Sequence, residues 1–339
     1  MAIFHGIQRA WFAIAVIVLA IWSGRAMAEP TLLFDPENNT VLYAEEVDRL
    51  WHPASVTKVL TAYVTFDAIK AGKLTLETKI PYSNLAQKMP ASKIGLAPGS
   101  EVSVEFALRA LIIKSANDIA VALAEAVGGS HDGFVDQMNA TAKRLGMTRS
   151  KFVNPNGLPS PEQVTTARDL ALLTRAVLRD YPEHAHFWTM ARMRVGKRRL
   201  RSHNSLLRTF EGADGVKTGF ICDSGYNIVA SATRNGRRLI AIVLGEKTPG
   251  ERGLRAAGLL EHGFATHGWK AFFKAPTLDE LPLSTESVLP VSIRKTVCKR
   301  RYVRSRARRK RRARARRTAK KVAKAAAKKP SRPAAAKKN

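Results

Sequence analysis

Ser55 and Lys58 stand three residues apart in HPASVTKVLTAYVTFDAIKAG, residues 52–72, at the head of a mostly apolar run. On a helix that spacing sets both side chains on one face with their roots roughly 5–6 Å apart, so the lysine amine can reach the serine hydroxyl. A serine attacks a carbonyl carbon only when a base takes its proton. A lysine is that base only if burial or neighbouring cations pull its pKa down. The pair alone carries little weight, because Ser-x-x-Lys arises by chance and most lysines simply reach solvent. Two further places add to it. Ser115-Ala116-Asn117 lies in the break between the helical runs VEFALRALII and NDIAVALAEAV, where it exposes a hydroxyl and an amide at a turn. Lys217-Thr218-Gly219 follows the turn Gly212 to Gly215 on a strand-like run, and Gly219 leaves that strand's face clear for a ligand backbone to approach.

The elements that must carry these residues can be read along the chain. TLLFDPENNTVLYAEE reads as a hairpin turning at Pro-Glu-Asn-Asn. Pro53 suits the first turn of a helix that runs to Gly72. Gly128-Gly129 closes the helical pair around Ser115. Ser130 caps the next helix, which ends at Gly146, and Asn154-Pro155-Asn156-Gly157 is a loop. Thr166 and, three residues on, Asp169 resemble a capping box for a helix that Pro182 stops. VKTGF, GYNIVASAT and RRLIAIVLG are strands, the last two joined through Asn235-Gly236, and a helix from about Gly250 to Gly263 follows. Hairpin, central helices and second hairpin predict one α/β (α+β) unit, a mainly antiparallel sheet flanked by helices.

The two ends differ from this body. The chain of 339 residues carries 57 lysines and arginines against 27 acids. Of those cations 23 lie between Arg294 and Asn339, a stretch without an acid, which leaves 34 basic and 27 acidic residues, a net of +7, elsewhere. Like charges at that density, with almost nothing to bury, predict a disordered tail. At the other end, Arg9, the apolar run Ala10 to Trp22 and the small residues Ala26 and Ala28 read as a secretory signal peptide with Glu29 as the mature start. The run is well short of the roughly 20 residues that span a bilayer. The division expected is a signal peptide over 1–28, a catalytic domain over 29–275, a linker or short strand over 276–293, and the tail over 294–339. Cys222 and Cys298 are too few for a disulfide framework or a cysteine zinc site; two free thiols and a single bridge both stay open.

Ser-x-x-Lys, Ser-x-Asn and Lys-Thr-Gly in this order form the three-part set of penicillin-binding proteins and class A β-lactamases. PASVTKVLTAY, KSANDIAVALAE, FVDQMNATAKRLGMTRSKFVNPNGLP and DGVKTGFICDSGYNIVASATRNGRRLIAIVLG resemble the D-alanyl-D-alanine carboxypeptidases among the low-molecular-mass penicillin-binding proteins, over about residues 31–270. The resemblance implies a β-lactamase/DD-peptidase-like fold and removal of the terminal D-alanine from peptidoglycan stem peptides. It implies Ser55 as nucleophile, Lys58 as its base, and Ser115 and Asn117 on the opposite wall, one relaying a proton and the other holding the substrate's peptide group. Lys217 would help keep Lys58 neutral, and Thr218 beside Gly219 would bind the substrate carboxylate with help from Arg252. The oxyanion donors implied are the backbone N–H groups of Ser55 and Phe220. β-Lactam antibiotics would acylate Ser55 as covalent inhibitors. His52, His131 and His203 show no metal-ligand spacing, and neither metal nor cofactor is expected.

Three rivals remain. A class A β-lactamase would need a glutamate to activate a deacylating water, for which Glu162 is the obvious candidate, and Ser115-Ala116-Asn117 departs from that class's Ser-Asp-Asn. A DD-endopeptidase uses the same motifs. A polyanion binder would act through the tail, but export removes nucleic acid as a natural partner. In the periplasm or cell envelope the polyanions are anionic lipids and wall polymers. Many family members carry a β-sandwich domain and an amphipathic anchor after the catalytic domain. Here about 20 residues separate body from tail, so electrostatic attraction is expected to replace that anchor.

Overall fold

The computed structural model describes residues 29–272, 275–284, 289–298 and 318. The expected signal peptide and nearly all of the basic tail lie outside these residues. Nine strands are named among them: β1 (Thr31–Phe34), β2 (Val41–Glu45), β3 (Lys79–Pro81), β4 (Glu101–Ser103), β5 (Arg192–Val195), β6 (Arg198–Arg201), β7 (Ala213–Ile221), β8 (Gly225–Arg234) and β9 (Arg237–Glu246). The helices are α1 (Lys58–Lys70), α2 (Asn84–Lys88), α3 (Val104–Arg109), α4 (Asn117–Gly128), α5 (His131–Arg144), α6 (Ala167–Asp180), α7 (His186–Thr189), α8 (Leu206–Thr209) and α9 (Pro249–Phe272).

The main sheet has the order β2-β1-β9-β8-β7, and every neighbouring pair in it is antiparallel. Period-two patterning puts its two faces against different helices. Ile228, Ala230 and Ala232 of β8 and Leu239, Ala241 and Val243 of β9 pack with Ala256 and Leu260 of α9. The alternate residues Val229, Ile240, Ile242 and Leu244 join the larger cluster that includes α1, α4 and α6. The β8–β9 hairpin turns at Asn235 (φ 52°) and Gly236 (φ 77°), the left-handed pair that its Asn-Gly sequence predicts.

Helix α1 is buried from Lys58 through Phe66. A helix covered on all sides belongs in the centre of a domain, and this one is held there from several directions. Thr61 Oγ1 donates to Pro155 O at 2.5 Å and Tyr63 Oη to Asp180 at 2.7 Å. A 3-10 turn, Ala54–Thr57, precedes it. Between α3 and α4 the chain winds through a π turn, Ala110–Lys114, and then Ser115 takes a left-handed conformation at φ 58°. That is the interruption read from Lys114-Ser115-Ala116-Asn117. Ser130 and Thr166 cap α5 and α6 as expected. The Asp169 carboxylate does not complete a box: it accepts from the backbone N–H of Arg149 and the hydroxyl of Ser150.

The C-terminal segments depart from the sequence reading. The described residues at the start of the expected linker, 276–284, pack on the body. Thr277 bridges to Thr40, and the buried Arg168, paired with Asp48 at 2.6 and 2.9 Å, also donates to Leu278 O and Pro282 O. Engaging all three guanidinium nitrogens this way is what lets a buried ion pair be tolerated. Residues 289–293 form no strand, and 294–298, expected as the start of a disordered tail, are helical. Cys298 is bonded to Cys222, so the two-thiol alternative is set aside. The charge of this stretch is visible in sequence, whereas its bond to Cys222 is not.

Candidate active site

The sheet edge, α1 and the π turn bring the three motif regions together. Lys58 Nζ lies 3.0 Å from Ser55 Oγ, 2.8 Å from Asn117 Oδ1 and 2.5 Å from Asn156 O. Across the same space Lys217 Nζ donates to Ser115 Oγ at 2.9 Å and to Thr218 O at 2.9 Å. Lys58 and Lys217 are fully enclosed, while Ser55 is partly open. A cleft of about 520 Å³ is lined by Ser55, Ser115, Asn117, Thr218, Gly219 and Phe220, among others. A larger hollow of about 620 Å³ lies beside the β1–β2 turn, away from these residues.

Three buried basic side chains each have a lowered pKa. Burial lowers Arg252 to about 10. Burial, then the charge of Arg252, lowers Lys217 to about 7. Burial, then the charge of Lys217, holds Lys58 well below an ordinary lysine, against the opposing pull of Asp118. His203, lowered to about 4 by burial and then by Lys217, is neutral near pH 7. A neutral amine beside a serine hydroxyl can accept its proton, and a second amine bonded to Ser115 offers a route for moving it on.

Glycine allows the closest approach. Strand β7 crosses the turn that bears Ser55 at Gly219, where a Cβ would fall 2.8 Å from Pro53 O and 3.1 Å from Ser55 N. The clear face read for a ligand is thus occupied first by the turn that bears Ser55, and the next residue, Phe220, lines the cleft beside it. Asn227 on β8 secures that turn by donating to His52 O at 2.9 Å and Pro53 O at 3.2 Å. At Gly157 a Cβ would overlap the Ala54 carbonyl, so the Asn156-Gly157 loop also lies tight on the turn.

Every motif residue is therefore in or directly behind the cleft, with two qualifications of role. Both ends of the Asn117 amide are engaged, the oxygen by Lys58 and the nitrogen by Pro90 O at 3.0 Å. Arg252 does not line the cleft among the described residues; it lies behind His203, donates to His203 O at 3.0 Å, and has a buried Nε without a partner. Sequence reasoning missed Asn156 O, Asn227, and the Ala91-Ser92 wall that holds Asn117 N through Ser92 O at 2.7 Å. Only the Asn-Gly loop gave any signal of these. Glu162, the residue a β-lactamase would need, is an exposed ion pair with Lys151 and is not among the cleft's lining residues. Among the described residues no group of three or more histidines, cysteines or carboxylates could hold a metal ion. Nor is any described helix long and apolar enough to cross a membrane.

Comparison with known proteins agrees with this geometry. A family model described as D-alanyl-D-alanine carboxypeptidase matches residues 21–248. The chain is 39% identical over 244 residues to the D-alanyl-D-alanine carboxypeptidase DacC of Escherichia coli, covering 70% of this chain and 61% of that protein. It is 33% identical over 252 residues to DacF of Bacillus subtilis, covering 73% and 64%. The match thus spans a little over six tenths of the length of these curated relatives. Among solved structures, penicillin binding protein 5 from Haemophilus influenzae is 34% identical with a TM-score of 0.68, covering 71% of this chain and 72% of that one. Penicillin-Binding Protein D2 from Listeria monocytogenes, in its cefotaxime-bound form, is 31% identical with a TM-score of 0.64, covering 71% and 98%.

Proposed function

The chain belongs to the D-alanyl-D-alanine carboxypeptidase family, and from that premise we propose that it is a serine-type hydrolase removing the terminal D-alanine of peptidoglycan stem peptides. The observation that carries this reading is the enclosed Lys58 amine, depressed in pKa and 3.0 Å from Ser55 Oγ. Lys58 takes the Ser55 proton as Oγ attacks the penultimate D-alanine carbonyl carbon. The oxyanion is received by the backbone N–H groups of Ser55 and Phe220. The C–N bond then breaks, and the proton returns through Lys58 and Ser115 to the amine of the departing D-alanine. A water, deprotonated by Lys58, hydrolyses the ester and frees Ser55. Asn117 first orients Lys58, and its NH2 group exchanges Pro90 O for the substrate's peptide carbonyl. Thr218 and Lys217 take the terminal carboxylate, with the charge of Arg252 behind them. A β-lactam acylates the same serine, but its opened ring leaves no fragment to depart.

The exposed, paired Glu162 speaks against a deacylating β-lactamase. The test is release of D-alanine from an N-acylated peptide ending in D-Ala-D-Ala: steady release by the wild type and none by Ser55→Ala supports the reading, and equal rates overturn it. The bond between Cys222 and Cys298 suits an oxidising compartment, in keeping with export to the periplasm or envelope. The tail, with no acid after Arg294, holds the enzyme at anionic lipid or wall polymer by electrostatic attraction. Co-sedimentation with phosphatidylglycerol vesicles that is lost at high salt and on deletion of residues 299–339 supports this; binding by the truncated chain rejects it.

A further inference from the structure

The end of the body and the beginning of the tail meet at the rim of the cleft. Arg294 lines it, together with Ile221 at the end of β7 and Cys222 in the turn that follows. Segment 289–298 is held there by hydrogen bonds to Asp223, by packing and by a disulfide. Ile293 N donates to Asp223 O at 3.0 Å, Ser292 Oγ to Asp223 Oδ1 at 2.6 Å, and Arg294 to both Asp223 oxygens through Nε at 3.1 Å and Nη2 at 2.8 Å. The Ile293 side chain fills the space that a Cβ on Gly225 would need, and Cys298 is covalently bonded to Cys222. Among the described residues this is the one part of the C-terminal chain that reaches the cleft.

Its place along β7 fixes what it would meet. In the carboxypeptidase reading, on which this inference rests, the terminal carboxylate lies at Thr218 and the scissile carbonyl at Phe220. Residues 222–224 form the turn that joins β7 to β8, so Arg294, bonded to Asp223 in that turn, lies just beyond Phe220 on the acyl side of the scissile bond. That end of the cleft is where the residue preceding D-Ala-D-Ala would lie. We propose that Arg294 is a specificity-determining residue of this cleft, reading a side-chain carboxylate on the residue that precedes D-Ala-D-Ala, and that the disulfide-held segment 289–298 is the wall that presents it. Asp223 uses Nε and Nη2 and so fixes the plane of the guanidinium, while the side chain stays 59% exposed toward solvent. A planar fork of this kind is suited to a carboxylate. Asp223 offsets the charge and the site is open, so the expected discrimination is modest.

The experiment compares N-acetyl-L-glutamyl-D-alanyl-D-alanine with its L-glutaminyl counterpart, using the full chain from Glu29 at low salt and reading kcat/KM from released D-alanine. The wild type should prefer the glutamyl peptide by roughly three- to fivefold, as expected for an exposed ion pair, with the difference in KM. Arg294→Gln should bring the ratio to 1 or below. That change also leaves Asp223 unpaired, so Asp223→Asn/Arg294→Gln is measured beside it, and a ratio near 1 is expected. A return to the wild-type ratio in the double variant would place the discrimination in the Asp223 charge and overturn the assignment. The disulfide-free Cys222→Ser/Cys298→Ser chain should also lose the preference; if it kept it, the wall would be unnecessary. If the wild type cleaved both peptides equally, this inference alone would fail. Cleavage of neither peptide, with no penicillin adduct on Ser55, would instead remove the carboxypeptidase reading beneath it.

Discussion

Gly219→Ala adds one methyl group where β7 crosses the turn that bears Ser55, and its cost can be worked from the atoms it meets. A Cβ there would lie 2.8 Å from Pro53 O and 3.1 Å from both Ser55 N and Val56 N. All three are backbone atoms, so no side chain can swing aside. Carbon and carbonyl oxygen normally approach to about 3.3–3.6 Å, so strand and turn must part by roughly half an ångström. Ser55 N is one of the two proposed oxyanion donors, and losing one such donor costs on the order of 10²–10³ in rate. A displacement of about half an ångström, less than the roughly 1 Å shift that can cost 10², should therefore lower acylation by about 10- to 100-fold. The strain should cost about 1–3 kcal/mol of stability. Stopped-flow acylation by a fluorescent penicillin reads the first effect and thermal unfolding the second. Acylation within about threefold of wild type, at unchanged Tm, would refute the placement of the oxyanion donors.

The acylation rate should rise with pH as Lys58 loses its proton, with that limb lying well below 10.5, and Lys58→Met should lower it by about 10²–10⁴; a limb near pH 10 in the wild type would contradict a depressed amine. Lys217 has a pKa of about 7 in the folded chain and 10.5 as its ordinary value. Between those values the unfolded chain binds more protons, so the wild type gains stability as pH rises through that window, and the burial penalty is full below pH 7. Lys217→Met should therefore show its best Tm relative to wild type near pH 6 and lose ground by pH 10; a difference independent of pH would refute the shift. Reducing the bond between Cys222 and Cys298 should free the 289–298 segment locally, so that trypsin cuts at Arg294 and Lys295 much faster while the body survives. Unchanged cleavage with and without reductant would show that the noncovalent ties suffice.

The order of elements was legible because each carries a local signal: the Asn235-Gly236 turn, the caps at Ser130 and Thr166, the two faces of β8 and β9. The candidate site was legible because three motifs fall where a helix start, a helix break and a strand can converge. What stayed hidden depends on contacts distant in sequence. Asn227 is one polar residue in an apolar strand until it meets His52 and Pro53 O. The Asn156 carbonyl is a backbone group and leaves no mark in composition. The role of Gly219 was read in kind but not in object, because only packing tells whether a ligand or the chain's own turn fills the space. For Arg252 the sequence offered proximity, and the fold sets it behind His203. The bond between Cys222 and Cys298, 76 residues apart, could not be told from two free thiols by spacing alone.

The central claim is that Ser55 is a nucleophile activated by Lys58. Its most direct test is intact and peptide-mapped mass spectrometry of the chain from Glu29 after incubation with benzylpenicillin, beside Ser55→Ala. The account predicts one penicilloyl group per chain, on the peptide that contains Ser55, and none in the variant. An adduct elsewhere, or an unlabelled wild type whether or not the penicillin is consumed, would contradict it.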